Sequence, residues 1–176
     1  MSMRAILFLL VTALFASRAI GQDIKYDKYT LPNGMTVILH EDHSLPVATV
    51  NIWFHVGSKD EPPHRSGFAH LFEHLMFMGT KRAPKSDFDN IMETDGGNNN
   101  ASTTQDRTNF FDFGPSSLLP TLLWLEADRL ENLGPMMDQK KLDLQREVVK
   151  NERRENFENA PYGLVSLKID EAMYPV

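Results

Sequence analysis

The sequence predicts an α+β fold, in which an antiparallel or mixed sheet is flanked by helices. Two observations favour this class: the chain contains strand pairs as well as blocks of helices, and these elements do not alternate regularly as they do around a parallel sheet. The 176 residues are 41% hydrophobic and 24% charged. This is the composition of a globular protein with enough apolar material for one core.

The first elements are strands. Residues 26–31 and 36–40 are extended runs that flank Asn33-Gly34, and Asn-Gly between such runs is the strongest short signal for a hairpin. Residues 47–56 alternate between apolar and polar side chains, which is the period of a half-buried strand. A second strand pair, rich in Thr and Phe, is expected at residues 100–106 and 108–113.

Helices are expected at residues 66–79, 86–95, 117–132 and 138–157, and in a short last segment after Gly163. The first helix is apolar on nearly every side, which is typical of a helix that is buried on most faces, and Gly79 suits its C-cap. Asp138 is expected to cap the fourth helix. In the third helix, Arg129 is expected to form an ion pair with Glu126 or Asp128.

Charge and cysteine content exclude several classes of function. Asp and Glu number 24 against 18 Lys and Arg, a formal net charge of −6, whereas a protein that binds phosphates usually carries net basic charge. We therefore expect no nucleic acid as a main partner. With 0 Cys, the chain has no disulfide framework, thiolate metal site or cysteine nucleophile, so a transition metal would need His and carboxylate ligands.

Residues 1–21 have the pattern of a signal peptide. Arg4 precedes an apolar run from Ala5 to Phe15, and small residues follow as far as Gly21. The run is shorter than the roughly 20 residues that a membrane crossing needs. We expect an exported protein, periplasmic or secreted, with no stable membrane anchor. The alternative is a buried N-terminal helix.

The most informative stretch for chemistry is His70-Leu71-Phe72-Glu73-His74. Residues four apart lie on one face of a helix, so His70 and His74 can converge on one ion. Glu73 lies beside them, where its carboxylate can reach a water molecule on the metal. This arrangement suits zinc, because zinc lowers the pKa of a bound water and a carboxylate then accepts the proton. The alternative is a pair of ordinary surface histidines. The apolar residues that flank them argue against it, because they predict a buried helix.

A zinc site of this type needs a third protein ligand. The acidic fourth helix is the expected source, and by spacing alone Glu147, Glu152 and Glu155 all compete. Each of them could instead be an ordinary solvated residue that pairs with a neighbouring Lys or Arg.

Motifs spread over almost all of the chain after residue 21 resemble a known family. In order, they are Leu31-Pro32-Asn33-Gly34, Gly57-Ser58, the run from His70 to Thr80, Gly96-Gly97, Asn100-Ala101-Ser102-Thr103, Glu126-Ala127-Asp128-Arg129, Val148-Val149-Lys150-Asn151-Glu152 and Pro161-Tyr162-Gly163. On these motifs, residues 22–176 resemble the N-terminal catalytic domain of the pitrilysin/insulinase-type zinc peptidases, the inverzincins. This family includes the β subunit of mitochondrial processing peptidase.

The resemblance implies one Zn²⁺ per chain. It implies His70, His74 and Glu152 as the metal ligands, and Glu73 as the general base that acts on a zinc-bound water. Many relatives also carry a second Glu seven residues before the distal ligand. This chain has Gln145 there, and we expect altered tuning of the metal site by a hydrogen-bonded amide.

The resemblance also implies a substrate-binding strand. Asn100 and Ala101 match an edge strand that pairs with the extended backbone of a substrate in family members, which is β-augmentation. The alternative from the residues alone is a polar turn that enters a strand.

The expected function is that of a zinc-dependent metalloendopeptidase that hydrolyses peptides or unfolded polypeptide segments. Family members assemble from two similar halves, so a second homologous half or a partner subunit is also expected. The end of the chain at Tyr174-Pro175-Val176 is interpreted as a truncation of the domain. The alternative function is a truncated or non-catalytic subunit that binds zinc or peptide and needs a second half for activity.

Overall fold

The computed structural model describes residues 23–174. The expected signal peptide, residues 1–21, lies outside this range. The strands are β1 (Asp27–Thr30), β2 (Thr36–Leu39), β3 (Val47–Phe54), β4 (Asn98–Thr103) and β5 (Thr108–Pro115). The helices are α1 (Phe68–Leu75), α2 (Lys85–Thr94), α3 (Leu119–Met136), α4 (Gln139–Arg153) and α5 (Leu164–Met173). The α+β prediction is confirmed. Within the described range, no helix combines the length and apolarity needed to cross a membrane.

The chain divides into two compact units, residues 1–45 and residues 46–176. The described part of the first unit contains the antiparallel hairpin β1–β2, whose register runs from Asp27 opposite Leu39 to Thr30 opposite Thr36. Gly34 adopts a φ of 87° in its turn, a conformation that favours glycine. The hairpin expected from Asn33-Gly34 is therefore confirmed, with strands slightly shorter than the sequence indicates.

The second unit is built on a three-stranded antiparallel sheet with the order β3-β5-β4. Side chains of β3 alternate between half-buried and exposed, as the sequence pattern predicts. The half-buried face packs on a core formed by apolar residues of α2, α3 and the segments before them: Ala83, Phe88, Met92, Leu118, Leu122 and Leu125. Because β4 pairs only with β5, one edge of β4 is unpaired within the described residues.

Helix α1 is shorter and less buried than the sequence indicates. It begins at Phe68 because Gly67 has a left-handed φ of 91°, and Gly79, with a φ of 73°, lies beyond a closing turn rather than at its last residue. Phe68 and Phe72 pack edge to face with ring centroids 4.9 Å apart, and they are 44% and 49% exposed. The expectation of burial on most faces is therefore wrong for this side of the helix.

Helix α4 begins as expected, because the Asp138 carboxylate accepts a hydrogen bond from Lys141 N at 2.8 Å. It ends earlier than expected. Regular α-helix stops at Arg153, and a π-helical turn, Arg154–Glu158, completes the segment. The inward-facing side of α4 therefore remains regular as far as Glu152.

A buried charge cluster lies between the sheet and α3. Arg129 forms an ion pair with Glu126, which confirms one of the two expected partners. The Arg129 guanidinium also lies over the ring of Phe110, 4.5 Å from its centroid. Asp112 on β5 is 1% exposed, and burial, together with the nearby Glu126 carboxylate, raises its pKa to about 8.

Candidate metal centre

Helix α1 places two imidazoles side by side. The Nε2 atoms of His70 and His74 lie 3.1 Å apart, as the four-residue spacing on one helix face predicts. Both side chains are half-buried, with 41% of His70 and 20% of His74 exposed. The pair is therefore accessible from solvent and shielded on the sides that face the protein.

A third potential ligand comes from α4, which packs against α1. Glu152 Oε2 lies 3.2 Å from His74 Nε2 and 3.6 Å from His70 Nε2. Of the three glutamates that compete by spacing, the structure brings only Glu152 into the described metal-compatible group. Glu147 instead accepts a hydrogen bond from Lys150 at 2.7 Å, and this bond holds the pKa of its carboxyl below the usual value.

The geometry of these three residues fits a tetrahedral metal ion. Zinc binds imidazole nitrogen and carboxylate oxygen at about 2.0–2.2 Å, so neighbouring ligand atoms on a tetrahedron lie about 3.3 Å apart. The three separations here are 3.1, 3.2 and 3.6 Å, and together they describe one face of such a tetrahedron. The remaining vertex is then available to a non-protein ligand. Two neutral imidazoles and one carboxylate are donors that zinc accepts.

Glu73 lies next to His74 on α1, and it is half-buried. Its carboxylate accepts a hydrogen bond from the hydroxyl of Thr103, the last residue of β4. Sequence reasoning missed Thr103, because the contact joins residues 30 positions apart. The available signal was the two-residue period of β4, which places Thr103 on the same face as Ala101.

Asn100 and Ala101 both lie on β4, at the unpaired edge of the sheet. They pair with Phe111 and Phe110 of β5 in the antiparallel register. The Ala101 amide donates to the side-chain oxygen of Asn100 at 2.8 Å. The segment is a regular strand from Asn98 onward, so its interpretation as a polar turn is wrong.

Gln145 lies on the inward face of α4 and is 6% exposed. Its side-chain nitrogen donates to the sulfur of Met78, 2.8 Å away, in the segment that follows α1. Gln145 thus joins α4 to the segment that follows α1. On α4, it lies two helical turns before Glu152. A role in tuning the metal ligands stays a prediction.

A second residue that sequence reasoning missed is Glu61, in the loop between β3 and α1. Its two carboxylate oxygens accept hydrogen bonds from the backbone amides of Gly67 at 2.9 Å and Ala69 at 2.7 Å. A glutamate six residues before the residue that precedes a helix has no standard capping spacing, so the sequence carries no direct signal for this contact.

Residues 36–175 match the family model described as Insulinase (Peptidase family M16). The chain belongs to the insulinase family of peptidases. This is a family of zinc metallopeptidases, and it is the family that the sequence motifs indicate. The match covers both the helix that carries the two histidines and the helix that carries Glu152.

Among proteins of this family, the chain is 33% identical over 167 residues to zinc protease PqqE of Helicobacter pylori, covering 94% of this chain and 37% of that protein. It is 32% identical over 126 residues to cytochrome b-c1 complex subunit 1 of Rattus norvegicus, covering 72% of this chain and 26% of that protein. The crystal structure of a protease from Helicobacter pylori superposes with a TM-score of 0.75 at 34% identity, covering 81% of this chain and 34% of the other. The chain therefore spans between about a quarter and just over a third of the length of these relatives.

Proposed function

We propose that this chain is a zinc-dependent metalloendopeptidase domain that hydrolyses peptide bonds in peptides or unfolded segments. The observation that carries the proposal is the convergence of His70, His74 and Glu152 from two helices, with separations that fit one tetrahedral ion. Membership of a family of zinc metallopeptidases supports the same chemistry.

In this proposal, His70, His74 and Glu152 hold one Zn²⁺. Zinc at this position supplies Lewis acidity, which polarises a peptide carbonyl and makes a water molecule more acidic. Glu73 is the general base and accepts the proton of the attacking water. The hydrogen bond from Thr103 restricts the orientation of the Glu73 carboxylate, so one oxygen is held by the sheet while the other is available to the water.

The substrate would bind along β4. Its edge is unpaired within the described residues, and a peptide in extended conformation can add to such an edge through backbone hydrogen bonds. Asn100 and Ala101 lie on this strand two or three residues before Thr103, which contacts the general base. This arrangement favours unfolded or extended substrates, because pairing with β4 requires a segment whose backbone amides and carbonyls are not already hydrogen-bonded within the substrate.

The second candidate is a non-catalytic or paired subunit that binds zinc or peptide and requires another half for activity. It is supported by the similarity to a subunit of the cytochrome b-c1 complex. Export from the cell, expected from residues 1–21, stays a prediction.

Zinc content and peptide cleavage distinguish these functions. We expect one zinc per chain in the wild type and in Glu73→Gln, and loss of stoichiometric zinc in His74→Ala. Cleavage of an unstructured quenched-fluorescence peptide by the wild type, abolished in Glu73→Gln, identifies the endopeptidase. Glu147→Gln is the matched control, because Glu147 is an exposed carboxylate on the same helix as Glu152.

The outcomes separate cleanly. Zinc binding without cleavage by the isolated chain supports the paired-subunit alternative. If the wild-type chain binds no zinc, zinc binding is contradicted for both candidate functions. If Glu73→Gln still cleaves the peptide, the role of Glu73 as general base is contradicted.

A further inference from the structure

The first turn of α1 is fixed by a residue outside the helix. Gly67, which precedes α1, has no side chain to cap it, and its left-handed backbone turns the chain into the helix. Glu61 supplies the missing acceptors instead, since its two oxygens accept from the amides of Gly67 and Ala69 at 2.9 and 2.7 Å. Amides of the first helical turn have no partner within the helix, so this carboxylate satisfies groups that would otherwise require water.

The loop that carries Glu61 is itself fastened to the sheet. Ser58 N and Lys59 N donate to the carbonyl oxygens of Thr104 and Gln105 in the β4–β5 turn, at 3.1 and 3.0 Å. The approach is so close that a Cβ atom at Gly57 would clash with both carbonyl oxygens. The loop therefore joins the end of the sheet to the N-terminus of α1, with Glu61 as its contact on the helix.

Helix α1 needs such support because it is short. It has 8 residues, fewer than the roughly 12–15 that an isolated helix needs to be even marginally stable in water. His70 is its third residue and His74 its seventh. Fraying from the N-terminus would release His70 first and separate the two imidazoles that lie 3.1 Å apart.

The negative charge of Glu61 also favours metal binding at this end of α1. The N-terminus of a helix carries a partial positive charge, which is unfavourable for a divalent cation bound near its first turn. A carboxylate at this N-terminus offsets that charge. His70 lies in this first turn, so the effect falls on the part of the site nearest to it.

We propose that Glu61 is a positioning residue for the metal centre. By fixing the first turn of α1, it holds His70 in register with His74 and Glu152. The inference rests on the proposed zinc site. In it, the β3–α1 loop holds the ligands in position before the metal binds.

The test compares Glu61→Ala and Glu61→Gln with Asp60→Asn. Asp60 is the adjacent carboxylate of the same loop, and it accepts from Gly57 N at 3.1 Å rather than from α1, which makes it a matched control. Zinc affinity of the full chain is measured by competition with a chromophoric chelator. We expect a roughly tenfold loss of affinity in Glu61→Ala, a smaller loss in Glu61→Gln, and wild-type affinity in Asp60→Asn.

A second readout separates positioning from general destabilisation. Amide hydrogen exchange of the zinc-free chain is expected to accelerate at Gly67 and Ala69 in the Glu61 variants, while the amides of β5 keep their protection. Unchanged zinc affinity in both Glu61 variants, or exchange that rises equally in β5, overturns the role of Glu61. A wild-type chain that binds no zinc overturns the proposed function, and the role of Glu61 at that site with it.

Discussion

The hydrogen bond between Thr103 and Glu73 connects two parts of the candidate site that are distant in sequence. Thr103 ends the strand on which a substrate would lie, and Glu73 is the candidate base on α1. A hydroxyl that donates to a carboxylate oxygen restricts the orientation of that carboxylate. The position of the base is thereby tied to the register of the edge strand.

A double-mutant cycle tests this contact independently of catalysis. We expect Thr103→Val and Glu73→Ala to be coupled by roughly 1.5–3 kcal/mol in the free energy of urea-induced unfolding of the zinc-free chain, the range for a hydrogen bond to a charged group. Thr103→Ser should retain the coupling because it keeps the hydroxyl. The control cycle uses Thr104→Val, whose hydroxyl lies near the Arg107 carbonyl, and should show coupling within about 0.5 kcal/mol. Equal coupling in both cycles would contradict the contact.

Some site residues could be predicted from the sequence and others could not, for physical reasons. The proximity of His70 and His74 follows from helix geometry within a single element, so local spacing is sufficient. Thr103 and Glu61 depend on how a strand end and a loop pack against α1. That packing is a long-range property, and no spacing rule within one segment encodes it.

Helix packing completes the metal centre, because Glu152 reaches the histidines only through the contact between α4 and α1. The sequence left three glutamates open, although the inward face of α4 carries a usable signal. Gln145, Val148 and Glu152 follow one another at helical intervals, and all three are buried or half-buried. Glu147 falls outside this series, and Glu155 lies in the π-helical turn beyond α4.

Helix boundaries were harder to predict than helix existence. The apolar run of residues 66–79 predicts a longer α1, but the positive φ angles at Gly67 and Gly79 exclude both residues from a right-handed helix. The C-terminal end of α4 also differs from the expected helix over residues 138–157, because Arg154–Glu158 adopts a π-helical turn. Helix ends of this kind depend on local backbone dihedral angles, which hydrophobic periodicity does not predict.

Zinc should stabilise the packing of α4 on α1. At a zinc concentration 100 times the dissociation constant, linkage predicts an increase of about 2.7 kcal/mol in the free energy of unfolding of the wild type. Glu152→Gln removes one ligand and should lose most of this increase. Glu147→Gln should retain it, because its side chain is exposed and pairs with Lys150. Thermal or urea unfolding with and without zinc measures both variants, and equal responses would contradict Glu152 as a ligand.

In the molecule as a whole, the buried cluster of Asp112, Glu126 and Arg129 joins the sheet to α3 and makes the stability of the second unit dependent on pH. One guanidinium cannot neutralise two ionised carboxylates, so the cluster is neutral only when one of them holds a proton. Asp112 is the group whose pKa is raised, to about 8, by its burial and by the nearby Glu126 carboxylate. Below this pH the cluster carries no net charge.

The sign of the pH dependence follows from proton binding. In the unfolded chain Asp112 releases its proton near pH 3.8, the ordinary pKa of an aspartate, whereas in the folded chain it keeps the proton until about pH 8. The folded state therefore binds more protons between these values, and its stability falls by about 1.4 kcal/mol per pH unit across that window because of this group. The stabilisation is fully present below the lower value and is lost as the pH rises through the upper one.

Replacing Asp112 with asparagine should remove this contribution, because the neutral amide cannot ionise. The wild type should lose roughly 2–3 kcal/mol of unfolding free energy between pH 6 and pH 8 because of this group, and Asp112→Asn should not. The variant therefore becomes more stable relative to the wild type by that amount over this pH range. Urea unfolding in the presence of a chelator measures this difference without a contribution from bound metal. Asp106→Asn, at an exposed position of the β4–β5 turn with 79% of the side chain accessible, should follow the wild type at each pH. A pH-independent difference for Asp112→Asn would show that this carboxyl is already ionised in the folded protein at neutral pH, and the charge of the cluster would then have to be balanced by another group.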